Sequence, residues 1–307
     1  MVEIVEDGDL KWFVDENYPA SKEPIRENES HVLGFCILIA NGDKVFVDVG
    51  ACTGKYTIPM SKHYGKVIAI EPNPKNVQYL KRNVELNDCS NIEILELAVS
   101  NVSGKTKLSL RGAHSRIGAF DDENAILVLV DTLDNLVERA DVVKVDVEGV
   151  ERQVVEGSER LIEECKPVFI IEHGEYWHSD EPKDHLIIMR YLTSKGYYPF
   201  NYNYAHWIYV PKEWIETEEY DFVGKMSDFV VGRLIAHHIF YEIILRNLRE
   251  GKAWYHGLPN KWWWGMSILE FISFLVHHAP YEKEWLEVYK KTLTSNYGVK
   301  YNSKVRT

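Results

Sequence analysis

Bases are in deficit in this chain, and cysteines are few. Lys and Arg total 35 against 47 Asp and Glu, a formal net charge of -12. A general affinity for nucleic acid or an anionic membrane is therefore not expected. The four cysteines, Cys36, Cys52, Cys89 and Cys165, are scattered over 307 residues, with no Cys-x-x-Cys and no cluster of histidines. That pattern speaks against zinc and against a disulfide framework, and it fits a reducing cytoplasm. No basic, apolar, small-residue leader is present, so no secretory signal is expected. Long uninterrupted apolar runs are also missing. Residues 229–245 are broken by Arg233, His237, His238 and Glu242, and 268–279 is too short to cross a bilayer. The pairs His237-His238 and His277-His278 point apart on a helix, which argues against a metal shared within either pair. Gly-x-Gly-x-x-Gly, internal repeats and low-complexity tracts are absent as well.

Hydrophobic residues make up 45% of the chain, enough for a full core. Its most informative segment is Asp48-Val49-Gly50-Ala51-Cys52-Thr53-Gly54. A short apolar strand, 44–47, precedes it, and residues 55–60 can open a helix. A second apolar run, 66–70, ends in Glu71-Pro72-Asn73. Strand, small-residue turn, helix, strand and then an acid is a nucleotide-cradling order. Gly50 and Gly54 permit a tight turn and a close approach of backbone to ligand, and a helix start presents N–H groups to an anion. Glu71 lies 21 residues after Gly50, near the ~20 expected of an acid that accepts ribose hydroxyls. Asp48 lies inside the turn, where it would repel a pyrophosphate but could hold an ammonium. That favours S-adenosylmethionine, with its amino-acid tail, over NAD or FAD.

The alternation continues. Residues 74–86 have helical periodicity. Strands are expected at 91–97, ending at Ala98-Val99, and at 106–110, 125–130, 141–146 and 167–171, with helices at 151–165 and 183–195 and a hairpin over 198–210. This predicts an α/β, Rossmann-like, doubly wound and mostly parallel sheet, with ligands at the carboxyl ends of its strands. Asp48, Glu71, Ala98, Asp146 and Glu172 all fall at such ends. Residues 1–30 carry nine acids against three bases and read as a solvated N-terminal arm. Residues 31–210 read as the catalytic domain, and 211–307 as a helical, aromatic-rich extension with helices at 227–249 and 266–294. Eight of the nine tryptophans lie after residue 176, including Trp262-Trp263-Trp264. They suit an aromatic core, a homo-oligomer seam or a platform for sugar rings.

The segments FVDVGACTG, VIAIEPNP, LAVSNVSG, VDTLDNL and VVKVDVEGVERQVVEG together resemble the FkbM-type methyltransferases over about residues 30–175. The most specific stretch is Lys144-Val145-Asp146-Val147-Glu148-Gly149-x-Glu151. The resemblance implies S-adenosylmethionine as cofactor, a Rossmann-like fold and usually O-methylation, often of sugars, glycans or polyketide-like metabolites. It also implies an acceptor-side loop at His114, Ser115 and Arg116. The family usually has Asn where this chain has Cys52, and the extension after 210 has no counterpart.

The expected cofactor residues are Asp48, Gly50, Ala51, Gly54, Thr57, Glu71, Pro72, Asn73, Ala98 and Val99. Asp146, Lys144, Glu148 and His173 are the catalytic candidates. Lys144 shares a strand face with Asp146 and either pairs with it or holds the substrate oxygen. A purely structural ion-pair network is the competing reading. His173 is a candidate base because histidine titrates near neutrality. Glu172 lies on the substrate side. Asp146, Glu148, Glu172 and His173 also form an oxygen-rich set that could hold Mg²⁺, although the family pattern does not demand it. The leading expectation is a cytoplasmic O-methyltransferase acting on a small-molecule or glycan acceptor. An RNA methyltransferase is opposed by the net charge and by the lack of Asn/Asp-Pro-Pro-Tyr/Phe after the fourth strand. A cofactor-binding module without catalysis is opposed by the acids at every ligand-facing strand end.

Overall fold

The computed structural model describes residues 2–25, 30–118, 123–172, 183–201 and 206–216. His173, the helices expected at 227–249 and 266–294, and Trp262-Trp263-Trp264 lie outside them. The chain divides into two compact units, Met1–Lys212 and Glu213–Thr307, and the fold below is that of the first.

Continuous apolar runs make the central strands, because each is covered on both faces. Five strands run parallel: β3 (Val45–Val49), β4 (Lys66–Ile70), β5 (Ile92–Leu95), β10 (Val142–Val145) and β11 (Val168–Glu172). The hairpin β12 (Tyr197–Asn201) and β13 (His206–Pro211) completes a seven-stranded sheet in the order β12-β13-β11-β10-β3-β4-β5, with β13 antiparallel to both of its neighbours. From β3 the chain winds outward through β4 and β5. It then returns to place β10 on the other side of β3. The switch point therefore lies between β3 and β10, where an open α/β sheet takes its ligand.

Helices α2 (Thr57–Ser61), α3 (Pro74–Leu86) and α6 (Lys183–Ser194) fall where helical patterning was expected, and α1 (Ser30–Leu38) precedes β3. Asn73 caps α3 by accepting from the Lys75 N–H, with Pro74 opening the first turn. The single helix expected at 151–165 is broken. α5 (Glu151–Glu156) ends at Gly157, and a separate wide turn covers Leu161–Cys165. Gly157 also marks a close approach: a Cβ there would lie 2.2 Å from the Ser100 carbonyl oxygen.

A second sheet was not expected. The short β6 (Ala98–Val99) leaves the main sheet after β5 and pairs with β9 (Ile126–Asp131). β7 (Gly104–Ser109) and β8 (Arg116–Ile117) extend it in the order β6-β9-β7-β8, and α4 (Leu133–Leu136) follows β9.

The N-terminal segment is not a solvated arm. β1 (Val2–Asp7) and β2 (Leu10–Asp15) form a hairpin that turns at Gly8. The acid count hid an alternation along β2. Trp12, only 1% exposed, and Val14 point inward, while the acids of β1 stay in solvent. A lone two-stranded ribbon is marginal in water, and α3 supplies the missing partner. Asn83 Oδ1 accepts from the Phe13 N–H at 2.8 Å, and Asn87 bonds both backbone groups of Lys11. Trp12→Ala should therefore destabilise the protein by about 3–5 kcal/mol, read as a shifted urea midpoint. An unchanged midpoint would mean that the hairpin packs without contributing.

Candidate functional site

The site lies at the carboxyl edge of β3, β4, β10 and β11. Gly50 bends the chain out of β3 with φ +85°, and a Cβ there would lie 1.8 Å from the Asp146 carbonyl oxygen. Only glycine lets the turns after β3 and β10 meet so closely. Gly54 has φ +102° and sits under Leu80 and Ile58, so it seats α2 on the core. Cys52 takes a left-handed conformation at φ +49° and turns its N–H toward Glu71.

Asp48 is 1% exposed. Its Oδ2 accepts from the Thr57 hydroxyl at 2.6 Å, while the buried Oδ1 has no hydrogen-bond partner among the described residues. Burial pushes its pKa up, and Lys144 and Thr57 oppose the rise. A buried acceptor without a donor suits an incoming ammonium. Glu71 is equally enclosed. Its Oε2 accepts from the Cys52 N–H at 2.8 Å, and its Oε1 accepts from the Asn73 N–H at 2.8 Å and Asn76 Nδ2 at 3.2 Å. Burial raises its pKa to about 7 against those donors. Its remaining lone pairs can take hydroxyl donors. Ala51, Pro72, Ala98 and Val99 add small and apolar walls to the same cleft. These residues fit S-adenosylmethionine: an acceptor for its ammonium, a carboxylate for its ribose and a tight glycine turn between them.

Lys144 lies across from Asp48 in the β3–β10 register. It is buried, its Nζ is 2.8 Å from Asp146 Oδ2, and it lies 4.6 Å from the Tyr56 ring centroid. Two carboxylates and an aromatic face surround this buried amine. Burial would raise the Asp146 pKa, but the Lys144 ammonium, a hydrogen bond with Glu172 and the charge of His206 outweigh it and hold the carboxyl below its usual value. Asp146 is thus ionised at neutral pH and weakly basic.

Glu148 lines the same cleft as Asp146. It adopts φ +58°, and its Oε1 lies 2.7 Å from Nδ1 of His114, whose ring is 76% exposed. That contact raises the His114 pKa. Glu172 faces the cleft at the end of β11, with His206 Nε2 3.8 Å from its Oε2. Among the described residues no three His, Cys, Asp or Glu side chains gather to hold a metal ion. Of the expected Mg²⁺ set, Asp146, Glu148 and Glu172 line the cleft without forming such a group, and His173 lies outside the described residues.

Other expected residues act from behind or beside the cleft. Thr57 reaches it through Asp48, and Asn73 through Glu71 and through Ser115 Oγ, 2.9 Å from its Nδ2. Ser115 lines the cleft, whereas Arg116 does not. Sequence reasoning passed over Glu23, Lys55, Tyr56, Asn76 and His206. Asn76 and Tyr56 left a faint signal, as polar side chains in or just before the first turn of a helix that follows a ligand-facing strand. Glu23 and His206 left none. Glu151, named only within the family motif, is a buried carboxylate that accepts from the Val147 and Gly149 N–H groups and so shapes the loop carrying Asp146 and Glu148. Burial raises its pKa to about 7.

Comparison with known proteins bears on this geometry. Residues 48–199 match the model of the methyltransferase FkbM domain. The methyltransferase sdnD of Sordaria araneosa is 30% identical over 40% of this chain and 64% of its own length. A tRNA/tmRNA (uracil-C(5))-methyltransferase of a Nitratiruptor species is 36% identical over 20% of this chain and 17% of its own length. The chain thus spans less than two thirds of either relative. Among solved structures, a methyltransferase FkbM from Methylobacillus flagellatus KT is similar over 61% of this chain and 47% of that one, with 21% identity and a TM-score of 0.44.

The buried ammonium yields a direct test. Lys144→Met should raise the Asp146 pKa by at least about one unit, read by carboxyl NMR titration. It should also cost about 3 kcal/mol at pH 7, the low end for breaking a buried pair, because Asp146 keeps 28% of its side chain exposed. An unmoved Asp146 titration would separate the two groups.

Proposed function

From a chain that carries a methyltransferase FkbM domain over residues 48–199, with S-adenosylmethionine as its cofactor, we propose an O-methyltransferase acting on a hydroxyl of a sugar, a glycan precursor or a related metabolite. The observation that carries this reading is the meeting of two unlike carboxylate settings in one cleft. Asp48 and Glu71 are buried and ready for donors, while Asp146 is held ionised by Lys144. S-adenosylmethionine supplies an electrophilic methyl group on its sulfonium. Asp48 accepts the ammonium of the amino-acid tail, and Glu71 accepts the ribose hydroxyls. Asp146 accepts a hydrogen bond from the acceptor hydroxyl and aligns its oxygen, and alignment is a large part of such a barrier. Its low basicity is no obstacle. An alcohol oxygen that is gaining a methyl group becomes far more acidic than a carboxylic acid, so the proton passes to Asp146 late in the step. Lys144 keeps that carboxylate charged until then.

The test is transfer of labelled methyl from S-adenosylmethionine to a panel of sugars, glycan precursors and RNA. Label on a hydroxyl, with kcat lowered about 10²–10⁴-fold by Asp146→Asn at unchanged cofactor affinity, is the expected result. Label in RNA would replace the acceptor assignment. The short match to an RNA enzyme makes that arm worth including, although the charge of -12 opposes it.

Cofactor binding should also depend on pH. The ribose hydroxyls need the ionised Glu71, whose pKa is about 7. Below pH 7 that carboxyl is protonated, and above it ionised, so affinity should strengthen from pH 6 to pH 8. Calorimetry with S-adenosylhomocysteine reads this, and Glu71→Gln should flatten the profile. A flat profile in the unsubstituted protein would remove Glu71 from the ribose site.

A further inference from the structure

Tyr18 lies on the N-terminal segment, more than fifty residues before Asn76 and Glu71, yet its hydroxyl reaches Asn76 in the cleft lining. It donates to Asn76 Oδ1 at 2.5 Å, in a buried setting. Burial pushes the Tyr18 phenol well above its usual pKa, so the hydroxyl keeps its proton and acts as donor. An amide whose oxygen is engaged must turn its nitrogen the other way. Asn76 Nδ2 accordingly points to Glu71 Oε1 and to the Gly112 carbonyl, at 3.2 Å each. The Tyr18 ring is held independently of its hydroxyl, stacked on Tyr79 at 4.9 Å with Lys75 Nζ 4.1 Å from its centroid. The segment is also tied to the glycine turn, because the Ala20 carbonyl accepts from the Thr53 hydroxyl at 3.1 Å.

We propose that Tyr18 is a positioning residue for the cofactor: through Asn76 it orients and charges Glu71, so that a side chain that does not itself line the cleft sets cofactor affinity. The inference rests on the reading of Glu71 as the ribose carboxylate. Without the hydroxyl, the Asn76 amide can rotate, and Glu71 loses one of the donors that favour its ionised form. The titratable groups that act on Glu71 are Asp48 from β3, Cys52 from the turn after it and Tyr18 from the N-terminal segment, and the cleft is also lined by Glu23, Lys55, His114 and Lys144.

The experiment is calorimetric binding of S-adenosylhomocysteine by Tyr18→Phe across pH 6–9, with urea unfolding alongside and with the same substitution in a Glu71→Gln background. The expected result is roughly three- to tenfold weaker binding at pH 7 and a pH midpoint raised by about half a unit. The effect should vanish in the Glu71→Gln background, since coupled residues are not additive. A merely structural role would lower the urea midpoint and weaken binding equally in both backgrounds, and that result would overturn the inference, as would unaltered binding by Tyr18→Phe. Carboxyl NMR titration of Glu71 in both proteins reads the same shift without ligand, and an unmoved Glu71 would count against the inference equally. No binding by the unsubstituted protein would instead overturn the cofactor reading, and this inference with it.

Discussion

One buried ammonium governs the charge of the cleft. Lys144 stands on β10 beside Asp48 on β3, and its Nζ reaches Asp146 at the end of its own strand. Two carboxylates this enclosed would otherwise repel each other and take up protons. With Lys144 between them, Asp48 can remain a receptor for positive charge and Asp146 a charged, weakly basic group. The register of two parallel strands therefore gives identical side chains different electrostatic surroundings.

Close backbone approach makes that register usable. The turn after β3 and the turn after β10 meet because Gly50 has no Cβ to strike the Asp146 carbonyl. The same device recurs at Gly157 against Ser100, just beyond the end of α5. In both places the absence of one carbon decides where two segments cross. Glu151 then holds the loop after β10 by accepting from the Val147 and Gly149 N–H groups, and within the same cleft Glu148 of that loop meets His114.

The strand and helix order of the seven-stranded sheet was legible because its signals are local. Fully buried strands read as Val- and Ile-rich runs, and α3 carried its own cap and opening proline. The acids at strand ends were legible for the same reason. The second sheet was not, since β6 is two residues long and its pairing with β9 joins residues more than thirty apart. The hairpin at the N-terminus was masked by its acid count. Composition sums over both faces of a strand, whereas Trp12 and Val14 are buried by alternation against α3. Asn76 and Tyr18 were passed over because a polar side chain on a helix or an aromatic in a loop has no distinctive spacing.

By itself, then, the sequence determined which chemical groups stand at the ends of the strands. A run of apolar residues closed by a glycine turn or an acid is a local instruction. Tertiary structure alone decided how those groups are charged and which of them share work. Burial raises Asp48 and Glu71 and frees one oxygen of Asp48 from any partner among the described residues. Lys144 lowers Asp146, and Tyr18 comes to bear on Glu71 across more than fifty residues. Desolvation and Coulomb energies depend on distance in space and on exclusion of water, and neither quantity is written in the order of residues along the chain.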